Sequence, residues 1–453
     1  ESFDLEFSTP VYNEQMYARE NQKKNRIMEV NDVLMMEKDI LVFISEYDPG
    51  TDSYTSYAQK VNFDGTLNGG LITLDIYKTP EKSLRGKYEF AKSPDNKYIL
   101  LYHKRPFKMY NDEKFKIKKF TQNLEPVWEK DLMFPYKDKD FNLYKLKIMD
   151  DGNCYMLARV FLDNEEAREK KNNLEATYFY KLLSFSDSDT TDEVIFKEID
   201  ITLPKKWITD VTFTTFNDEI ICAGFYADKK DMAVNGTFFL RIEKTSGLIR
   251  AQDTEEFSKA FLAEFLGDKN AERGNGLRDF MLDELIRRDD GGIVLVAEQF
   301  FIKTVCYTNN SSGYTKCRDY NYYNDILVVN INSQGEIEWN ARIPKKSVDT
   351  QEGNYLSYAL AVKGNQVYVL YNENPGNLAI TDPTKLKNVN ISSSIAVLAN
   401  INSKGVVSRE TLFNTKESQC YLRPKTCKQV NLQELIIFGV KGKNSQWGKL
   451  KIF

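Results

Sequence analysis

Six cysteines and one histidine set the limits on the chemistry this chain can do. Cys306 and Cys317 bracket CYTNNSSGYTKC, and Cys420 and Cys427 bracket CYLRPKTC. Each pair closes a short, turn-rich segment, which predicts two local disulfides and an oxidising compartment such as the periplasm or the cell exterior. A zinc site would bring Cys-x-x-Cys spacing or His partners, and the sequence has neither. Cys154 and Cys222 sit inside apolar runs, where a thiol behaves as a small buried hydrophobe. His103 ends another apolar run, and one imidazole cannot make a polyhistidine metal site. The acid pairs Asp150–Asp151 and Asp289–Asp290 fall in Gly-containing turns, where Asp is a turn former before it is a catalyst. No Gly-x-Ser-x-Gly elbow, no phosphate-binding Gly-Lys-Ser/Thr loop and no dinucleotide fingerprint occurs. The acidic run 186–193 lacks the glycine and the final Glu of a calcium loop. The expectation is no catalytic, cofactor-binding or metal site.

Two aromatic stretches are suited to contact rather than catalysis. Residues 103–120 interleave seven Lys/Arg with Phe107, Tyr110, Phe115 and Phe120. That texture suits an acidic polymer, but the alternation of Phe115 and Ile117 with Lys116 and Lys118 reads as a strand with one wet face. The segment 302–323 reads as a loop between two strands and carries Tyr307, Tyr314, Tyr320, Tyr322 and Tyr323. Tyrosine gives large contact area at low entropy cost, so this loop is the best candidate partner-binding element. A helix is expected over 254–266, with Asp253 and Glu256 as a capping box. Its apolar face, including Phe257 and Phe261, either packs on its own protein or docks a partner.

The elements that position these residues repeat. The apolar runs 39–47, 97–103, 153–161, 219–227, 292–301, 366–374 and 434–442 each sit second in a group of short strands. Four-stranded units at such spacing predict an all-β fold, a single β-propeller over 1–453 with seven four-stranded blades and short helical insertions. The last group has only three strands (419–428, 432–441, 446–453), and SFDLEFS (2–8) is an unassigned strand. Closure of blade 7 by residues 2–8 would remove two exposed edges. Tight Asn/Asp/Gly turns such as SPDN (93–96), DDGN (150–153), NSQG (332–335) and NSKG (402–405) fall at one end of the strands. Long connections fall at the other end, and that is where a binding face is expected.

Composition agrees with a packed, soluble domain. Apolar residues make up 42% and aromatics 13%, and the net charge of −4 leaves no nucleic-acid footprint. No run of 18 apolar residues exists, so no transmembrane segment is expected. The chain starts at Glu1 without Met, which suggests a processed leader or a trimmed chain.

FTQNLEPVWEKDL (120–132) and VNINSQGEIEWNARI (329–343) resemble the outer hairpin of quinoprotein-like propellers. There a turn precedes a Trp that docks between blades, so Trp128 and Trp339 would hold that place. That family's Ala and Asp positions are missing, so the likeness implies no pyrroloquinoline cofactor. Across its length the chain is similar to divergent extracytoplasmic propellers of Bacteroidota envelopes, including accessory or plug subunits of the type 9 secretion translocon. The resemblance implies a non-enzymatic protein-interaction subunit in the periplasm or at the outer membrane, with a protein partner and no nucleic acid. The rival expectation is a propeller enzyme or glycan binder using carboxylates and tyrosines at the central channel.

Overall fold

A computed structural model describes residues 27–106, 112–172, 175–185, 196–308, 314–350, 353–380, 382, 385–441 and 444–452. The strand expected over 2–8, part of the basic stretch (107–111) and the acidic run 186–193 lie outside these residues. Two compact units divide the described chain, one ending at Thr202 and one beginning at Leu203.

In the first unit, sheet one is β1 (Ile27–Met35), β2 (Ile40–Asp48), β3 (Ser53–Val61) and β4 (Leu67–Lys78). Sheet two is β5 (Lys87–Lys92), β6 (Tyr98–Lys104), β7 (Asp112–Thr121) and β8 (Pro126–Lys137). Sheet three is β9 (Phe141–Ile148), β10 (Cys154–Phe161), β11 (Tyr178–Phe185) and β12 (Lys197–Ile201), with helix α1 (Asn164–Asn172) between β10 and β11.

In the second unit, sheet four is β13 (Trp207–Phe216), β14 (Glu219–Ala227), β15 (Gly236–Glu243) and β16 (Ile249–Glu256). Helices α2 (Lys259–Leu266) and α3 (Asp268–Glu272) lead into sheet five. That sheet is β17 (Phe280–Arg287), β18 (Ile293–Thr308), β19 (Thr315–Ile331) and β20 (Ile337–Ile343), with β21 (Ser347–Asp349) added on β19. Sheet six is β22 (Tyr358–Lys363), β23 (Gln366–Glu373), β24 (Ile395–Ile401) and β25 (Val407–Asn414). After a helical turn α4 (Thr415–Ser418), sheet seven holds β26 (Tyr421–Leu422), β27 (Lys428–Asn431), β28 (Glu434–Lys441) and β29 (Asn444–Lys451). The chain is thus all-β, built from antiparallel sheets of sequential strands with few helices.

In sheets one to six the second strand in sequence is a largely unbroken apolar run because both of its faces are covered; in sheet seven the corresponding β28 is buried on alternate residues. In β18, Ile293, Leu295 and Ala297 pack with sheet four, while Val294 and Val296 pack with sheet six. Five core clusters among the described residues each join two neighbouring sheets in this way: one with two, two with three, four with five, five with six, six with seven. Trp128 packs edge-on against Phe185 of sheet three at 5.9 Å. Trp339 of sheet five donates its indole N–H to Ser403 O in sheet six at 3.1 Å. Gly405 lies under that ring with φ of 77°, and a Cβ there would stand 2.9 Å from Trp339.

The first strands of sheets one, three, four and five each hold one extra residue against the second strand: Asn31, Tyr144, Thr209 and Asp283. A bulge re-aims its side chain and sharpens the local twist. The acid pairs are turn formers: Asp151 Oδ1 accepts from Asn153 N, and Asp290 Oδ1 accepts from Gly292 N.

Four expectations are corrected. The helix begins after Ser258, whose side chain caps Phe261 N, because Asp253–Glu256 are held as strand by pairing with β15. Phe257 and Phe261 are 2% and 4% exposed in the cluster between sheets four and five, so they are core and not a docking face. Cys420 and Cys427 are free, buried thiols. Phe438 N donates to the Cys427 sulfur at 3.3 Å, and the Cys420 sulfur packs where a Cβ on Gly439 would fall. Burial pushes the two thiols up to about 11 and about 12. Last, 302–323 is largely strand: β18 and β19 continue past the sheet as a two-stranded arm. In sheet seven the first strand is broken, with β26 and β27 sharing one flank of β28 and Pro424–Thr426 turning between them.

Candidate interaction site

The arm is made by pairing that runs Ile302↔Asn321, Lys303↔Tyr320, Thr304↔Asp319, Val305↔Arg318, Cys306↔Cys317, Tyr307↔Lys316 and Thr308↔Thr315. The cysteines stand directly opposite each other, and the predicted Cys306–Cys317 disulfide is present. The bridge locks the register of a ribbon that no core supports. Outward from Ile302 the arm is almost wholly exposed, with Ile302 at 56%, Tyr307 at 62% and Tyr314 at 69%. An isolated hairpin with such side chains in water is marginal, so the arm needs a firm base.

That base is a buried ionic cluster. At the exit from the sheet, register slips between Glu298 and Phe300. There Asn324 and Asp325 bulge out of β19, and Asn324 Nδ2 donates to Gln299 Oε1. Lys345 reaches this joint with a side chain only 1% exposed. Its ammonium donates to Glu298 Oε1 at 2.7 Å and to Tyr323 O at 2.8 Å, and its backbone N–H donates to Asp325 Oδ1 at 3.0 Å. Arg342 holds the other Asp325 oxygen at 2.8 Å and donates to Glu264 O at the end of α2. Charge-assisted bonds of this kind fix geometry strongly. They tie both strands of the arm to sheet five, and β21 adds pairing at Asn321–Tyr323.

Further carboxylates surround the base. Tyr358 donates to Asp283 Oδ2 at 2.9 Å. Water reaches Asp283, but protein packed on its other sides, and then the Glu298 charge, push it up to about 6. Glu373 is fully buried, accepting on Oε1 from Asn374 N and Asn377 Nδ2. Burial pushes it up to about 7.

Of the predicted contact residues, Tyr307 and Tyr314 lie near the arm's outer end. Tyr320, Tyr322 and Tyr323 are half-buried toward its root. Tyr322 stacks on Phe301 at 4.6 Å, while Tyr323 packs on Phe300 and lies 4.7 Å beneath the Lys425 ammonium. Sequence reading missed Ile302, Glu298, Asp325, Lys345 and Glu373. A signal was available: the apolar central strands carry a buried charged or imidazole residue near their ends, at Glu46, His103, Glu298 and Glu373. His103 is accounted for by packing. Its Nε2–H donates to Arg85 O at 2.7 Å, the ring stacks on Tyr88, and burial holds it neutral.

In the described part of the basic stretch 103–120, charges are met by the protein's own side chains in sheets one and two. Lys118 pairs with Asp75 at 2.8 Å and Glu129 at 2.7 Å, and Lys119 lies 3.7 Å over the Tyr98 ring. Among the described residues no group of three His, Cys, Asp or Glu side chains is placed to hold a metal ion, and no helix is long and apolar enough to cross a membrane.

No protein-family model and no curated protein matches the chain. Solved structures do. The β-propeller domain of the Trilobed protease from Pyrococcus furiosus aligns at 9% identity and a TM-score of 0.41, covering 94% of this chain and 95% of that one. Pyrococcus horikoshii acylaminoacyl peptidase aligns at 11% and 0.41, covering 98% of this chain and 54% of that one. The WD40 domain of SCAP from fission yeast aligns at 9% and 0.32, covering 99% and 97%. At these scores the likeness carries no argument about activity.

Proposed function

We propose that this chain is a non-enzymatic protein-interaction subunit of the bacterial envelope, an accessory or plug component of an outer-membrane secretion complex. In this reading it is a seven-bladed propeller whose last blade is completed by residues 2–8. The arm carries the proposal: a disulfide-locked, ionically anchored ribbon that exposes Ile302, Tyr307 and Tyr314. Preorganised elements bind with less loss of entropy, and exposed aromatic and aliphatic side chains on a projecting element suit a partner surface. The disulfide fits an oxidising compartment. Tyr307→Ala/Tyr314→Ala should leave the unfolding midpoint within about 1 °C, because both side chains are exposed. It should weaken co-purification of the native envelope partner by roughly tenfold or more. Undiminished recovery would remove the arm from the interface.

Asp283 motivates a second reading, an acid–base site. A solvent-accessible carboxyl pushed up to about 6 beside Glu298 and Tyr358 has the environment of a general acid. If it acts so, turnover on a panel of glycosides and peptide esters should fall by about 100-fold or more in Asp283→Asn. No turnover by the parent protein, or equal turnover by both, rejects this reading.

A further inference from the structure

The pairing register gives the arm two unlike faces. Cross-strand partners share a face and successive residues alternate. One face therefore carries the rows Lys303–Tyr320, Val305–Arg318 and Tyr307–Lys316. The other carries Thr304–Asp319, the disulfide and Thr308–Thr315. The first face has three cations and no carboxylate; the second has one carboxylate and no cation. Lys303, Lys316 and Arg318 are all exposed, and none forms an ion pair among the described residues. This sets the arm apart from β7, whose lysines meet Asp75 and Glu129.

The spacing is also specific. Each row advances two residues, about 6.8 Å along the ribbon. An extended peptide places every second side chain on one side at the same interval. Three carboxylates at alternate positions of such a peptide would each meet one cation. The tyrosines between them offer rings and hydroxyls to the intervening backbone. Tyr307 and Tyr320 hydrogen-bond each other on this face, which steadies the surface the peptide would meet. A chain with a net charge of −4 that gathers unpaired cations on a projecting ribbon has concentrated its positive potential where encounter begins.

We infer that the Lys303/Arg318/Lys316 face of the arm captures an extended acidic segment of the partner protein, with Asp or Glu at alternate positions. This rests on the reading of the arm as the contact element and adds which face is used and what it takes. A single exposed ion pair contributes little, so recognition depends on three in line.

The full chain would be titrated against a fluorophore-labelled twelve-residue peptide with Glu at alternate positions, and against its Gln counterpart. Fluorescence anisotropy at low salt gives the affinities. The Glu peptide should bind at least roughly tenfold more tightly than the Gln peptide, and lose that advantage as salt rises. Lys303→Glu/Arg318→Glu/Lys316→Glu should weaken it by roughly 100-fold. Thr308→Glu/Thr315→Glu on the opposite face should cost less than about fivefold. Equal binding of the two peptides, or indifference to charge reversal, overturns the inference. So does tighter binding of heparin or of a short oligothymidylate, which would give the face to a polysaccharide or a nucleic acid. Failure here is separable from failure of the contact element itself: if Tyr307→Ala/Tyr314→Ala abolishes partner capture while the charge reversal leaves it intact, the arm remains the contact and the acidic segment does not.

Discussion

Lys345→Met is expected to destabilise the second unit by about 3–5 kcal/mol, the range found when one partner of a buried ion pair is removed. The ammonium is the shared donor for Glu298 Oε1 and Tyr323 O, and both ends of the pair are almost fully buried, at 1% and 4% exposed. Methionine fills a similar volume, so the loss is electrostatic rather than a cavity. It strands the Glu298 carboxylate in protein and removes a bond to the arm's backbone. Pairing the change with Glu298→Gln should restore a large part of the loss, since a neutral amide there needs no counter-charge. Denaturant unfolding of the wild type, the single variants and the double variant closes the cycle. A single-variant loss under about 1 kcal/mol would mean that water reaches the cluster and that the arm's base is softer than its geometry implies.

Glu373→Gln should change how stability depends on pH. Burial raises the folded carboxyl to about 7 from an ordinary 4.5. Between those values the folded state holds a proton that the unfolded state has released. Stability from this group is therefore complete below about 4.5, declines as pH rises, and is gone above about 7. The full swing is about 3 kcal/mol. Glutamine preserves the acceptor oxygen for Asn374 N and Asn377 Nδ2 and cannot ionise. The stability difference, variant minus wild type, should rise by about that amount between pH 4 and pH 8. Asp283 titrates in both proteins and cancels. Parallel profiles would show that Glu373 ionises without penalty, through a rearrangement or a bound water.

The central strands were legible because burial on both faces leaves unbroken apolar runs, as in ILVFI at 40–44 and IVLVA at 293–297. Their turns were legible because a positive φ selects Asn and Gly, as at Asn96, Gly152, Gly335 and Gly405. The arm was not, because the apolar pattern stops where the sheet's core stops. Beyond it, Thr, Asn and Lys alternate with Tyr much as they would in a loop, although Cys306 and Cys317 were a clue to cross-strand register. The helix start was misplaced because Asp253 and Glu256 match a capping box locally while the ladder to β15 overrides it. Phe257 and Phe261 looked like a docking stripe because periodicity shows that a face is apolar but not what covers it. The base of the arm draws Glu298, Asp325, Arg342 and Lys345 from separate strands and a connection. Its members meet only through tertiary pairing, so no spacing rule could find them.

The shared core clusters have a mechanical consequence. Sheet five is joined by a hydrophobic cluster to sheet four on one side and to sheet six on the other. A load applied at the tip of the arm enters sheet five through the strands that carry both clusters and is divided between two seams. A hairpin projecting from a sheet with one such seam would concentrate the same load and peel it. The ribbon that is freest of the core thus springs from a sheet that can be tugged without being unzipped.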